Sequence, residues 1–128
     1  MRFIVVMLGL MWAAQGVFAQ NGPLRLEVTE GVIEPLAFAI PAFEAESGEA
    51  SQAAADISRV IADDLSGSGL FREIGSDSFI ANRTTFAEPV RYPDWRAINA
   101  RALITGAVNV DANGRVIVKF RVFDIFSG

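Results

Sequence analysis

Two short apolar runs with a helix-period segment between them constrain this chain more than any other feature. Residues 36–40, Leu-Ala-Phe-Ala-Ile, carry no polar side chain and lie between Pro35 and Pro41. Such a run reads as a central strand buried on both faces, with proline at its ends where no ladder donor is lost. Over residues 50–66, Ala53, Ala54, Ile57, Val60, Ile61 and Leu65 recur three or four apart, which predicts one apolar stripe along an α-helix. Asp56, Arg59 and Asp63 fall mostly on the opposite face. Ser47 or Ser51 is expected to cap this helix, and Gly67 and Gly69 to end it. A second short strand over 71–74 completes a βαβ unit, with two parallel strands and the helix covering one face of the sheet.

The remaining segments extend that sheet. Residues 24–29 alternate Leu24, Leu26 and Val28 with Arg25, Glu27 and Thr29, the period of a half-buried strand. Residues 102–110 and 115–123 read as a hairpin joined by Asp111-Ala112-Asn113-Gly114, because both Asn and Gly tolerate positive φ. In its second strand Val116, Val118, Phe120 and Val122 point one way. Arg115, Lys119 and Arg121 point the other, and theirs is the face expected to meet solvent. Asp94 is expected to cap a brief helix over 95–100 that turns Trp95 and Ile98 toward the core, with Ala102 following. Residues 75–91 hold no sustained period and read as a loop with a short turn near 78–81. The fold class that results is α/β, a single small domain whose mixed β-sheet has helices packed on it.

The N-terminus points to export. Met1-Arg2 is a short positive region, residues 3–14 are uncharged and apolar, and Val17-Phe18-Ala19 matches the small-residue pattern read by a signal peptidase. The run is shorter than the about 20 apolar residues a membrane-crossing helix needs. Residues 1–19 are therefore expected to be a signal peptide, and 20–128 a soluble periplasmic domain with no transmembrane span after cleavage. Of the 11 basic side chains one, Arg2, leaves with the signal, while all 15 acidic ones stay. An acidic, lysine-poor chain argues against nucleic acid as a partner, since that affinity comes largely from neutralising phosphates. The chain has neither Cys nor His. Disulfides, thiolate nucleophiles, lipid attachment through cysteine, the commonest general base and the commonest transition-metal ligand are all absent with them. No catalytic residue, metal site or cofactor is expected.

Several short patterns are better explained by structure than by chemistry. Asp111-x-Asn113-Gly114 resembles the start of a calcium loop, but the acidic ligand expected further on falls where a strand runs through residues 120–123. Gly67-Ser68-Gly69 follows a helix where a phosphate loop precedes one. Asp63 and Asp64 are adjacent on a helix, so their side chains diverge by about 100°. Asn82-Arg83-Thr84 matches a glycosylation sequon by a pattern of low specificity. Trp95 reads as a core anchor.

Taken in order, residues 24–32 (Leu-Arg-Leu-Glu-Val-Thr-Glu-Gly-Val), 35–43, Ile61-Ala62-Asp63-Asp64-Leu65 with Ser68-Gly69-x-Phe71, and Trp95-x-x-Ile98 before Ala102-Leu103-Ile104-Thr105-Gly106 resemble the TolB N-terminal domain family. The resemblance covers essentially all of residues 20–128. It implies a periplasmic, non-enzymatic protein-interaction component of the Tol-Pal system, acting in outer-membrane integrity, cell division and protein import. In the family a further helix and a β-propeller follow, and neither is present in this sequence. Binding of the lipoprotein Pal is a property of that propeller and attaches to no residue here. The mature N-terminus, Gln20, Asn21, Gly22, Pro23, Leu24 and Arg25, is similar in position to the family's mobile arm, which contacts TolA. An N-terminus that serves only as a disordered spacer is the alternative.

Without the further helix, one sheet face is expected to expose apolar side chains such as Ile117, Phe123 and Ile125, and the chain to self-associate or to be only marginally stable. Two other functional classes compete. One is an outer-membrane assembly or regulatory module outside Tol-Pal, which often carries a lipid-attachment cysteine that this chain lacks. The other is a small exported hydrolase, for which no histidine base and no Gly-x-Ser-x-Gly elbow is present.

Overall fold

The computed structural model describes residues 31, 34–80 and 85–128. The export segment, the arm at 20–25, the alternating run at 24–29 and the sequon at 82–84 lie outside the described residues. Elements run in the order β1 (Leu36–Ala39), β2 (Glu44–Ala45), α1 (Ser51–Gly67), β3 (Phe71–Glu73), α2 (Tyr92–Ala97), β4 (Ala102–Val110) and β5 (Val116–Asp124). Short 3-10 turns cover Gly48–Ala50 and Ser76–Ser78.

The sheet is built on β4. Along one edge β5 pairs with it antiparallel for its whole length, from Ala102↔Asp124 to Val110↔Val116. Along the other, β1 pairs in parallel with its first half (Phe38↔Ala102, Ala39↔Leu103) and β2 with its second half (Glu44↔Ala107, Ala45↔Val108). β1 and β2 are thus one line of chain broken at residues 40–43, where Pro41 has no N–H to give the ladder. β3 joins the far side of β1 in parallel, Leu36↔Phe71 through Phe38↔Glu73. The parallel βαβ unit, the central place of the first strand and the mixed α/β sheet are as the sequence predicts.

Alternation along the central strands feeds a core on each face. Phe38, Ile40, Ile104 and Val108 pack with Phe43 against α1, while Ala37, Ala39 and Leu103 pack with Ile74, Trp95, Ala100 and Ile125 on the other side. Trp95 meets Phe79 edge to face at 5.1 Å and serves as the anchor its spacing predicts. α1 seats itself through small residues one turn apart, Ala54, Ser58 and Ala62, all buried. The Ser58 hydroxyl donates to the Ala54 and Ala55 carbonyls at 3.1 and 3.0 Å, which satisfies it at the interface. Ile57, Ile61 and Leu65 flank this stripe, but Val60 turns outward to solvent, against the predicted stripe. Gly106 allows the closest approach in the core: a Cβ there would lie 2.5 to 2.6 Å from the Phe43 ring.

The helix ends differ from the sequence expectation. Neither Ser47 nor Ser51 caps α1; Ala50 occupies the N-cap with no side-chain bond, because the 3-10 turn runs straight into the helix and Ala50 N–H donates to the Ser47 carbonyl at 3.0 Å. Ser47 Oγ instead accepts from Val110 N–H at 3.4 Å. Gly67 is the last helical residue, and Gly69 alone takes positive φ, at 75°. α2 starts three residues earlier than predicted, with Arg91 at its N-cap and Pro93 in its first turn, where a missing N–H costs nothing. Asp94 lies inside that turn and pairs with Arg91 at 3.3 Å. In the hairpin Gly114 takes positive φ (77°) and Asn113 does not. Asp111 Oδ1 accepts from the Asn113 and Arg115 amides, both at 2.9 Å, and so holds the turn from outside it.

Candidate functional site

The residues predicted to contact a partner, Gln20, Asn21, Gly22, Pro23, Leu24 and Arg25, lie outside the described residues, so any site must be sought on the surface of the sheet domain. Three features of that surface stand out: the outer strand β5 and two clefts at opposite ends of the parallel strands.

β5 is open on both faces: its basic row meets solvent as expected, and its apolar row does so too. Val116, Val118, Phe120 and Val122 sit opposite Val110, Val108, Gly106 and Ile104 and therefore face the α1 side of the sheet. α1 covers β1, β3 and β4 but leaves this row between 39% and 62% exposed. The basic row opposite is exposed as well and gathers Phe86 and Glu46 beside it. Phe86 lies beneath the Arg121 guanidinium at 4.3 Å and the Lys119 ammonium at 5.4 Å, Lys119 pairs with Glu46, and Glu44 accepts the Phe86 amide at 3.1 Å. Of the residues expected to be uncovered, only Ile117 is. Phe123 packs against the Trp95 cluster and Ile125 is fully buried in it, because the chain past Asp124 leaves the strand and turns under α2. Arg96 ties that turn down, donating to the Ile125 carbonyl at 3.1 Å.

The cleft at the carboxyl ends of β1 and β3 has a volume of about 490 Å³ and is bordered by Ile40, Ser58, Arg59, Glu73 and Asp77. Its one cation is held by an acid of the same border. Arg59 donates to Glu73 and, at 3.0 Å, to Asp63, and the Glu73 bond is the largest influence keeping the guanidinium protonated. Asp63 is thereby the exposed partner of an ion pair one turn away, not a ligand paired with Asp64.

The second cleft, of about 520 Å³, opens at the amino ends of the same strands. Its border includes Glu34, Leu36, Ala37, Arg72, Arg101 and Phe126. Arg101 stacks on Phe126 at 4.8 Å, and its amide donates to the Ala37 carbonyl at 2.9 Å. Sequence reasoning passed over this pair of arginines, because 29 positions separate them and only the parallel register brings them together. Among the described residues no group of acidic side chains with metal-holding geometry occurs, and no helix is long and apolar enough to cross a membrane.

Comparison with known proteins places this architecture. Residues 24–128 match the model of the TolB amino-terminal domain. The chain is 63% identical over 110 residues to the Tol-Pal system protein TolB of Jannaschia sp., covering 86% of this chain and 24% of that protein. It is 61% identical over 113 residues to the same-named protein of Roseobacter denitrificans, covering 88% and 25%. The chain thus spans about a quarter of the length of these relatives. Among solved structures, TolB from Acinetobacter baumannii superimposes with a TM-score of 0.54 at 20% identity, over 73% of this chain and 21% of that one. The LpoB C-terminal domain from Salmonella enterica does so with 0.53 at 11% identity, over 78% and 79%, a likeness of fold alone. The match over residues 24–128, on a mixed sheet of the same fold, establishes that this chain belongs to the TolB amino-terminal domain family.

Proposed function

We propose that the chain is the amino-terminal, protein-binding part of a Tol-Pal component working in the periplasm, without catalysis, in outer-membrane integrity, cell division and protein import. The family match over residues 24–128 carries this reading, and the relatives named as Tol-Pal system proteins support it. A chain without Cys or His gives no counterweight toward enzymatic chemistry. Contact with a TolA-like protein is assigned to the arm formed by Gln20, Asn21, Gly22, Pro23, Leu24 and Arg25, exposed once the export segment is removed after Ala19. Binding of Pal belongs to a propeller, where one follows in the native protein.

The test is a deletion of residues 20–25 placed after an intact cleavage site, in the chromosomal gene of the host. Loss of binding to the purified periplasmic domain of the host's TolA, together with leakage of periplasmic protein into the medium, is the expected result. Unchanged binding would remove the arm from the reading, and an intact mass that retains residues 1–19 would remove the periplasm.

A further inference from the structure

The amino-end cleft holds an arrangement that the family assignment does not explain. The parallel register sets Arg72 of β3 beside Ala37 of β1 (Ala37↔Arg72), and the pairing of Phe38 with Ala102 sets Arg101 on the other side of Ala37. The three residues form one row across three strands. The two arginine backbones are therefore two strand spacings, roughly 10 Å, apart. The residue between them is Ala37, packed into the Trp95 cluster and buried to 6% exposure, so its short side chain puts no bulk between the two arginines.

Neither guanidinium lies within 4 Å of a carboxylate among the described residues, whereas Arg59, Arg91 and Lys119 each do. Asp124, the acid that Arg101 influences, already accepts the Phe126 and Ser127 amides at 3.0 and 3.2 Å. Arg96, Arg115 and Arg121 likewise form no such pair, but only Arg72 and Arg101 border one cleft together. Leu36 and Phe126, 40% and 49% exposed, supply apolar walls. With Glu34 at the border the net charge of the cleft is near +1, which attracts an anion, and the apolar walls beside it suit a carboxylate carried next to an apolar side chain.

We propose that the cleft formed by Arg72, Ala37, Arg101 and Phe126 docks an extended segment of a protein partner, clamping one of its carboxylates between the two guanidinia and laying a neighbouring apolar side chain on Phe126 and Leu36. Planar guanidinium forks recognise carboxylates with two parallel hydrogen bonds each, which gives the clamp direction as well as strength.

The experiment titrates the full chain, labelled with 15N, with a blocked hexapeptide that carries one glutamate between a leucine and a phenylalanine, and with its glutamine counterpart. Expected are amide shifts at Leu36, Ala37, Arg101 and Phe126 with the glutamate peptide, and a dissociation constant raised roughly tenfold or more by the glutamine exchange or by Arg72→Ala or Arg101→Ala. Arg115→Ala, a cation remote from the cleft, should leave it unchanged. Both arginine side chains are exposed, so the variants should keep the wild-type fold, with Arg101→Lys as a second variant that retains the charge but loses the fork. Equal binding of the two peptides, shifts mapping to β5, insensitivity to both arginine variants, or a response to phosphatidylglycerol vesicles with none to the peptide would each overturn the proposal.

Discussion

Asp124 ends β5 and organises the turn that follows. The Ser127 hydroxyl, then the Phe126 and Ser127 amides, hold its carboxyl below the ordinary carboxylate range. A depressed folded value means that the unfolded chain takes up the proton first. The contribution of this group to stability is therefore complete above the unfolded value of about 3.9 and is lost as the pH falls through the lower folded one. An NMR titration of the Asp124 carboxyl should show a midpoint below the ordinary range, and Ser127→Ala should move it upward. An unchanged midpoint in the variant would mean that the amides alone set it. Trp95 and Phe38 illustrate what was legible at this scale. Large apolar side chains at buried-strand or helix-face spacing became core, because nothing else in the molecule offers them as much area away from water.

At the scale of elements, the β4–β5 hairpin shows how finely a turn distributes its demands. Only Gly114 adopts positive φ, while Asn113 is held by the Asp111 carboxylate accepting its amide. Gly114→Ala is expected to lower the free energy of unfolding by roughly 1–2 kcal/mol, the cost of a Cβ in the left-handed region. Asn113→Ala should change it little, since the bond at that position is made by the backbone. Urea denaturation of both variants separates the two, and equal losses would contradict the turn geometry. Asn-Gly marked this hairpin in the sequence, but which of the pair would bear the strain depends on the Asp111 bonds. Similarly, α1 was legible from its period. Its seating on Ala54, Ser58 and Ala62, with Val60 left outside, depends on how closely the sheet lets it approach.

For the whole molecule, the salient imbalance is a sheet whose α1 face is only partly covered. Val116, Val118, Phe120 and Val122 form a contiguous apolar row beside the helix, on a strand whose outer backbone edge has no partner among the described residues. Long exposed apolar edges pair with other chains unless charge or cover prevents it. Lys119 and Arg121, the nearest charges, lie on the far face by strand alternation, beside Phe86 and Glu46. The 128-residue chain on its own is expected to self-associate, with a weight-average mass by light scattering that rises with concentration. Phe120→Ser combined with Val122→Ser should return it to a monomer without loss of helix signal. A monodisperse wild-type monomer across a wide concentration range would count against the exposed row as a sticky surface.

The sequence by itself determined the βαβ unit, the central strand, the hairpin and the family, because each rests on local periodicity or on residues adjacent in the chain. The domain's composition, free of Cys and His, likewise set bounds on chemistry before any coordinates. Tertiary structure alone decided that both faces of β5 stay open over residues 116–122, since alternation names two faces but not what packs on either. It sent Ile125 into the core and left Val122 in solvent, through a turn after Asp124 that no strand period reveals. It also gathered Arg72 and Arg101 around Ala37, because a parallel register joins residues whose separation in sequence carries no signal of their meeting.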